Sequence, residues 1–265
     1  MGFPSSRHLR GEGESRPNAL TRLHLPRHYE PRTSQPNGFV IVTALNTLVL
    51  NKPYAAFLFD MDGTILNSIV AAERVWSKWA EKHGLDVATF LPTIHGVRGF
   101  DTIARLGLPG VDPQAETDQI CADEMIDLEG IVEIAGAIEF LNSLPRDRWA
   151  IVTSAPKELA LVRMAKIGIP RPDIMITGDD VTEGKPNPRC FMLGAERLGV
   201  DIADCLVFED APAGVLAGEA SGASVVVITA THTHKHETAL ATIPDYKNIK
   251  ALTGSDGRVS IVART

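Results

Sequence analysis

The sequence predicts an α/β protein with a doubly wound, Rossmann-like parallel sheet and a small all-helical cap inserted after the first core strand. Short apolar segments, each followed by polar or acidic residues, predict strands at 55–59, 149–152, 174–176, 205–208 and 224–228. Helix-like segments separate the later strands, and this alternation favours parallel βαβ units. No convincing strand occurs between about 69 and 135, which predicts the helical cap.

Residues that favour helix ends bound the predicted helices of the core. A glycine follows each of three helix-like segments, at 157–167, 188–198 and 213–221. Asn187 before Pro188 is typical of a helix start, since Asn caps the first turn and proline suits the first helical position. In the cap, Trp76 and Trp79 recur at helical spacing, so we expect them to pack in its interior.

The predicted organisation has three parts. Residues 51–68 and 136–265 form the α/β core, and residues 69–135 form the cap. Residues 1–50 are expected to be a disordered extension or the product of an artefactual upstream start, because much of this stretch is rich in proline and lacks an apolar period. Within it, the apolar run 39–50 is expected to add a strand or to pack loosely.

Charge and composition limit the classes of function. The formal net charge of −7 over 265 residues argues against a nucleic-acid-binding surface. Three cysteines without metal-ligand spacing fit a reduced intracellular setting. The apolar run near the N-terminus is shorter than the roughly 20 residues that a membrane-spanning helix needs. We expect a cytoplasmic protein, a monomer, without nucleic-acid or membrane partners.

The stretch 60–64 is the most informative in the chain. Asp60 and Asp62 emerge at the end of the first predicted strand, where α/β sheets bind their ligands. One carboxylate can attack phosphorus and form an aspartyl-phosphate. The other can protonate the leaving oxygen and then accept a proton from water. Gly63 permits the tight turn that brings the backbone close to the site.

Three further groups of polar residues follow later strands. Thr153 and Ser154 offer a hydroxyl and backbone N–H groups to phosphate oxygens. Lys185, in a loop between turn-forming residues, can neutralise charge on the nucleophile and the transferring group. Glu209 and Asp210 form a pair of hard oxygen ligands that suits Mg²⁺. A divalent ion would also offset the repulsion between the Asp60 carboxylate and a phosphate dianion.

In this order, the four motifs resemble those of the haloacid dehalogenase superfamily of phosphohydrolases, and the resemblance covers about residues 54–250. It implies that Asp60 is the nucleophile, Asp62 the general acid/base and Lys185 the charge anchor. It also implies that Thr153 and the Ser154 amide bind phosphate. Mg²⁺ would be held by Asp60, the backbone carbonyl of Asp62 and Asp210, with Glu209 in or near its coordination shell.

The cap sequence narrows the branch of this family. The second aspartate, Asp62, disfavours dehalogenases and phosphonatases. Ala72 stands where the β-phosphoglucomutase branch has a cap histidine, which disfavours a mutase. His95 and Arg98 lie in a stretch similar to the cap loop of sugar-phosphate, glycerol-phosphate and 2-deoxyglucose-6-phosphate phosphatases. There Arg98 could bind the distal part of the substrate and His95 could bond to a hydroxyl.

The sequence thus predicts a Mg²⁺-dependent phosphatase that acts on a small phosphorylated metabolite, a sugar or polyol phosphate monoester, through an aspartyl-phosphate. Two alternatives remain: a β-phosphoglucomutase-like phosphomutase, and a catalytically silent phosphate-binding regulator. Asn67, where the family more commonly has Asp, is expected to have a small effect because both cap helices. The histidine-rich run 231–236 is expected to be a loop rather than a metal site.

Overall fold

The computed structural model describes residues 52–232 and 238–264, and within them a six-stranded parallel sheet lies at the centre of the protein. Its strands, in the order in which they neighbour one another, are β5 (Ile174–Ile176), β4 (Trp149–Val152), β1 (Ala56–Phe59), β6 (Cys205–Glu209), β7 (Ser224–Ile228) and β8 (Ala241–Ile243). The predicted fold class is confirmed, and β8 is an additional strand. The apolar run 39–50 lies outside the described residues.

Eight α-helices occur in the described part of the chain. They are α1 (Ile69–Lys82), α2 (Val87–Phe90), α3 (Gly99–Leu106), α4 (Pro113–Ile126), α5 (Ala137–Ser143), α6 (Lys157–Ile167), α7 (Arg189–Leu198) and α8 (Pro212–Ser221). The predicted glycines end α6, α7 and α8. Helix α7 begins one residue later than predicted, at Arg189, whose backbone N–H still donates to the Asn187 side chain at 2.9 Å. No described helix has both the length and the apolar character needed to cross a membrane.

Helices cover both faces of the sheet, so its central strands are buried on each side. In β1, Phe57 and Phe59 belong to a cluster that includes residues of α5 and α6. Ala56 and Leu58 belong to a second cluster that includes residues of α7 and α8. This division follows from the alternation of side chains along a strand. Since both faces pack against helices, β1 is a continuous apolar run.

The cap consists of α1 to α4 and has its own apolar cluster. Trp76 and Trp79 are buried there with Phe90, as predicted. Val70, at the start of α1, is instead 57% exposed. The expectation of no strand in the cap region is wrong by one short element: β3 (Val132–Glu133) pairs antiparallel with β2 (Leu66–Asn67). These two-residue strands are too short to give a visible alternation in sequence.

Two smaller features complete the described fold. A hairpin of β9 (Ile249–Thr253) and β10 (Val259–Ala263) joins the core through a bridge between Tyr54 and Val259. At the start of α1, the Asn67 side chain accepts the backbone N–H of Ile69 at 3.0 Å. The substitution of Asn for the more common Asp therefore keeps a capping bond at this position.

Candidate active site

Side chains from separate parts of the sequence meet at the carboxyl end of the sheet. Asp60 follows β1, Thr153 follows β4, and Asp210 follows β6. Because β1 pairs with β4 on one side and with β6 on the other, these three positions lie at the same edge. The sheet order therefore makes one site from segments that are about 60 to 150 residues apart.

Lys185 lies at the centre of this site and is almost completely buried. Its Nζ donates to Asp60 Oδ1 at 2.6 Å, to Glu209 Oε1 at 2.8 Å and to the carbonyl oxygen of Val152 at 3.1 Å. These bonds use all three ammonium hydrogens. Burial opposes the charge, but Asp60 and Glu209 outweigh it and raise the pKa of Lys185 above its ordinary value. Lys185 is therefore a fixed cation beside Asp60.

Three buried carboxylates lie close together at this part of the site. One oxygen from each of Asp60, Glu209 and Asp210 lies within 4.8 Å of the others. Burial raises the pKa of Asp60 to about 8, against the attraction of Lys185, and Glu209 and Asp62 add repulsion. Burial also raises the pKa of Asp210, with repulsion from Glu209 and Asp60. The donor set fits Mg²⁺, because a hard divalent cation would offset this excess of negative charge.

Gly63 allows the turn after β1 to pass close to Asp210. Its φ of +89° lies in the left-handed region, which side chains disfavour. A Cβ atom at this position would lie 1.9 Å from Asp210 Oδ2. The site therefore requires glycine here for two separate reasons, backbone conformation and space.

Replacing Gly63 by alanine is expected to reduce activity by about 10²-fold, because the methyl group must displace the Asp210 carboxylate. Gly84→Ala is the matched control, since Gly84 has a φ of +69° and nothing lies within 4 Å of the place that its methyl group would occupy. Both variants should be destabilised by about 1–3 kcal/mol through backbone strain. Thermal unfolding and steady-state kinetics separate the effects. Equal activity in the two variants would show that the close approach to Asp210 is unimportant.

A cavity of about 110 Å³ lies between this edge of the sheet and the cap. Asp60 and Asp62 line it from the core, with Thr153 and Ser154 beside them. The Thr153 hydroxyl oxygen accepts the backbone N–H of Ala155 at 3.1 Å. Ser154 Oγ donates to the cap, at the carbonyl oxygen of Gly96, at 3.0 Å. Asp210 also lines the cavity, so five of the predicted core residues meet around it.

The two predicted cap residues have different positions. His95 lines the cavity, and its Nε2 lies 3.0 Å from Glu73 Oε1. Arg98 is not among the described residues that line it. Its guanidinium donates to both oxygens of Asp101, at 2.7 and 2.8 Å, and to the carbonyl oxygens of Val181 and Thr182. Arg98 thus joins the cap to the core through Asp101 and these carbonyls, and its contact with a substrate stays a prediction.

Asp62 is held by two donors that none of the sequence motifs indicated. Its Oδ1 accepts Ser68 Oγ at 2.5 Å and Arg163 Nη1 at 2.9 Å. Arg163 was detectable in principle, because it lies in α6 on the same buried face as Leu159 and Met164. A charged residue on the apolar face of a helix is unusual unless it is paired. Nothing local in the sequence indicates that its partner is Asp62.

The histidine-rich run also contacts the site. Thr231 Oγ1 donates to Asp210 Oδ2 at 3.3 Å, and His232 Nε2 lies 2.8 Å from the carbonyl oxygen of Asp210. Because a carbonyl oxygen only accepts, His232 Nε2 is the donor of this hydrogen bond. The residues from 233 to 236 lie outside the described part of the chain. Thr231 follows the end of β7 at the same edge as the other motifs, a signal that could have indicated this contact.

Comparison with known proteins identifies the family. Residues 54–222 match the family model of the haloacid dehalogenase-like hydrolases. Hexitol phosphatase A of Escherichia coli strain K12 is 40% identical over 178 residues, which cover 66% of this chain and 82% of the relative. Glycerol-1-phosphate phosphohydrolase 2 of Saccharomyces cerevisiae is 34% identical over 199 residues, with coverages of 71% and 79%.

A solved structure is similar over the same region. A hydrolase from Pseudomonas syringae superposes with a TM-score of 0.65 at 26% identity, covering 72% of this chain and 94% of that protein. The chain belongs to the haloacid dehalogenase-like hydrolase family.

Proposed function

We propose that this hydrolase is a Mg²⁺-dependent phosphatase that hydrolyses a small sugar or polyol phosphate monoester through an aspartyl-phosphate intermediate. The observation that carries the proposal is the position of Asp60. Its carboxylate is bonded to Lys185, lies beside Glu209 and Asp210, and lines a cavity that Asp62 also lines. We retain the cytoplasmic location and the monomeric state as predictions.

The chemistry divides into two transfers. In the first, an oxygen of Asp60 bonds to phosphorus while the phosphorus–oxygen bond of the ester breaks, and Asp62 gives its proton to the departing alcohol oxygen. In the second, a water oxygen attacks phosphorus and Asp62 takes the water proton. The acyl phosphate bond then breaks, which releases inorganic phosphate and restores both carboxyl groups. Thr153 and the Ser154 amide would hold phosphate oxygens.

Asp60, Asp210 and the backbone carbonyl of Asp62 would hold Mg²⁺, whose charge would neutralise the phosphate and stabilise the transition state. Both oxygens of Glu209 already have partners. Oε1 accepts Lys185, and Oε2 accepts the backbone N–H groups of Asp210 and Ala211, at 2.7 and 2.8 Å. In this proposal Glu209 holds Lys185 and the loop that carries Asp210, at the border of the coordination shell.

The cavity and the relatives support a substrate whose phosphate is attached to a small uncharged group. The relatives are named for hexitol phosphate and glycerol 1-phosphate. Arg163 and His95 are the basic residues among the described ones that line the cavity, and each is paired with a carboxylate. A phosphomutase needs a site for a second phosphate, so this pairing disfavours the mutase alternative, as does Ala72 in the cavity wall.

A phosphate-release panel tests this proposal. Hexitol, glycerol and deoxysugar phosphates should be hydrolysed in Mg²⁺, whereas 3-phosphoglycerate and sugar bisphosphates should react at least about 10-fold more slowly, because no described residue that lines the cavity offers an unpaired cation to a second anion. Chelation with EDTA should abolish turnover, and added Mg²⁺ should restore it.

The same assays decide between the alternatives. Isomerised sugar phosphate that depends on a bisphosphate primer, with little free phosphate, would indicate a mutase. Binding of Mg²⁺ and sugar phosphate without any release of phosphate would indicate a silent regulator. Full activity in EDTA would reject the metal requirement.

A further inference from the structure

We propose that Arg163 is a positioning residue for Asp62 and that Glu124, from the cap, holds Arg163 in place. The inference rests on the proposed function, because it assumes that Asp62 is the general acid. Its basis is a chain of ion pairs, buried at Glu124 and Arg163, that runs from the cap, through a core helix, to the reacting group.

The contacts of Arg163 extend in two directions. Nη1 donates to Asp62 Oδ1 at 2.9 Å, and Nη2 lies 3.1 Å from Glu124 Oε1. Arg163 belongs to α6 of the core, whereas Glu124 belongs to α4 of the cap. One guanidinium therefore connects a cap carboxylate with the carboxylate of the active site. Both Arg163 and Glu124 also line the cavity.

This chain is costly for the fold, which suggests that it serves the reaction. The Arg163 side chain is 6% exposed and that of Glu124 is 9% exposed. In addition, the buried Nε of Arg163 has no hydrogen-bond partner among the residues that the structure describes. An apolar side chain at 163 would pack against the same helix face without burying charge, so a buried ion pair is weak evidence for a stabilising role.

The geometry defines what Arg163 does to Asp62. Arg163 and Ser68 both bond to Oδ1, while no described residue donates a hydrogen bond to Oδ2. Two donors on one oxygen restrict rotation of the carboxyl group and leave Oδ2 to carry the proton. Because Glu124 holds the other end of the guanidinium, this orientation depends on the cap lying in its present position. Arg163 therefore links the placement of the cap to the placement of the acid.

The dependence of the turnover rate on the leaving group of the substrate tests this role of Arg163. An alkyl phosphate needs the acid because its alcohol leaves poorly, whereas p-nitrophenyl phosphate needs it little. Arg163→Met should lower kcat for glycerol 1-phosphate by about 10- to 100-fold relative to kcat for p-nitrophenyl phosphate, with little change in KM. Arg163→Lys should recover part of the loss, since lysine can still reach one carboxylate. Glu124→Gln should show a smaller fall in kcat, which is again larger for glycerol 1-phosphate than for p-nitrophenyl phosphate.

The ratio of kcat for glycerol 1-phosphate to kcat for p-nitrophenyl phosphate does not depend on how much of a variant is folded. This ratio therefore remains informative if Arg163→Met is unstable. Arg146→Met removes an exposed arginine paired with Asp173 and should leave the ratio unchanged. Asp62→Asn should show the largest fall in the ratio, and an unchanged ratio there would reject the acid role in the proposed function. A fall in Asp62→Asn with none in Arg163→Met and Glu124→Gln would overturn the positioning role alone.

Discussion

Replacing Asp60 by asparagine is expected to abolish phosphate release, with a fall in kcat of at least about 10⁴-fold, in a protein that still folds. Asparagine has nearly the same shape but a poor nucleophile in place of the carboxylate oxygen. The fold should tolerate the change because Asp60 is buried among other carboxylates, and burial raises its pKa to about 8. Removing a charge that the site disfavours should not destabilise the metal-free protein.

Two measurements examine this expectation independently. Steady-state phosphate release gives the loss of activity, and acid quenching during turnover should trap phosphate on the native protein but not on Asp60→Asn. Asp173→Asn is the control, because Asp173 is exposed and pairs with Arg146 away from the site. Trapped phosphate in the Asp60→Asn protein would place the covalent bond on another residue and reject the mechanism.

Replacing Lys185 by methionine is expected to destabilise the metal-free protein by roughly 3–5 kcal/mol and to abolish activity. Without this cation, Asp60 and Glu209 lose a counter-ion within 3 Å and remain buried. Methionine keeps most of the volume and can pack against Phe191, whose ring lies 4.9 Å from Nζ. The loss should therefore be electrostatic, and adding Asp60→Asn should recover part of the stability.

The pH dependence of the free energy of unfolding follows from the direction in which the carboxylate pKa values are shifted. The folded-state pKa of Asp60 is about 8, above its ordinary value near 3.8, so its contribution to stability is lost as the pH rises between these values. In Lys185→Met the pKa of Asp60 should rise further, because the attraction that lowers it is gone, so this loss should continue above pH 8 and the deficit should be larger at about pH 9.5 than at about pH 6. Chemical denaturation at both pH values checks it, with Lys166→Met, an exposed lysine of α6, as the control. A deficit independent of pH would indicate a packing defect.

The motifs of the candidate site were predictable because each is local. Asp60 and Asp62 follow an apolar run, and Glu209 and Asp210 follow another, so the strand ends are visible without knowledge of the fold. The parallel sheet then requires those ends to lie on one edge. Buried strands such as β1 and β4 were visible for the same reason, since side chains buried on both faces leave a continuous apolar segment.

The predictions for the cap were weaker. Arg98 has the residue type expected of a substrate ligand. Its guanidinium, however, already donates hydrogen bonds to Asp101, one turn away, and to two carbonyl oxygens of the core. Arg163 lies on an apolar helix face, yet its two partners are 39 and 101 residues away in the chain. A single sequence contains no signal for a pairing across such distances, because many acidic residues are equally plausible partners.

Local chemistry in the chain therefore specified the kind of protein, a hydrolase of the haloacid dehalogenase type, and the residues at its strand ends. The tertiary packing decided which charges are free and which are paired: Lys185 between Asp60 and Glu209, Arg98 with Asp101, and Arg163 between Asp62 and Glu124. The reason is physical. Residue type is set by the sequence, whereas the partner of a buried charge depends on which helices and strands fold against each other.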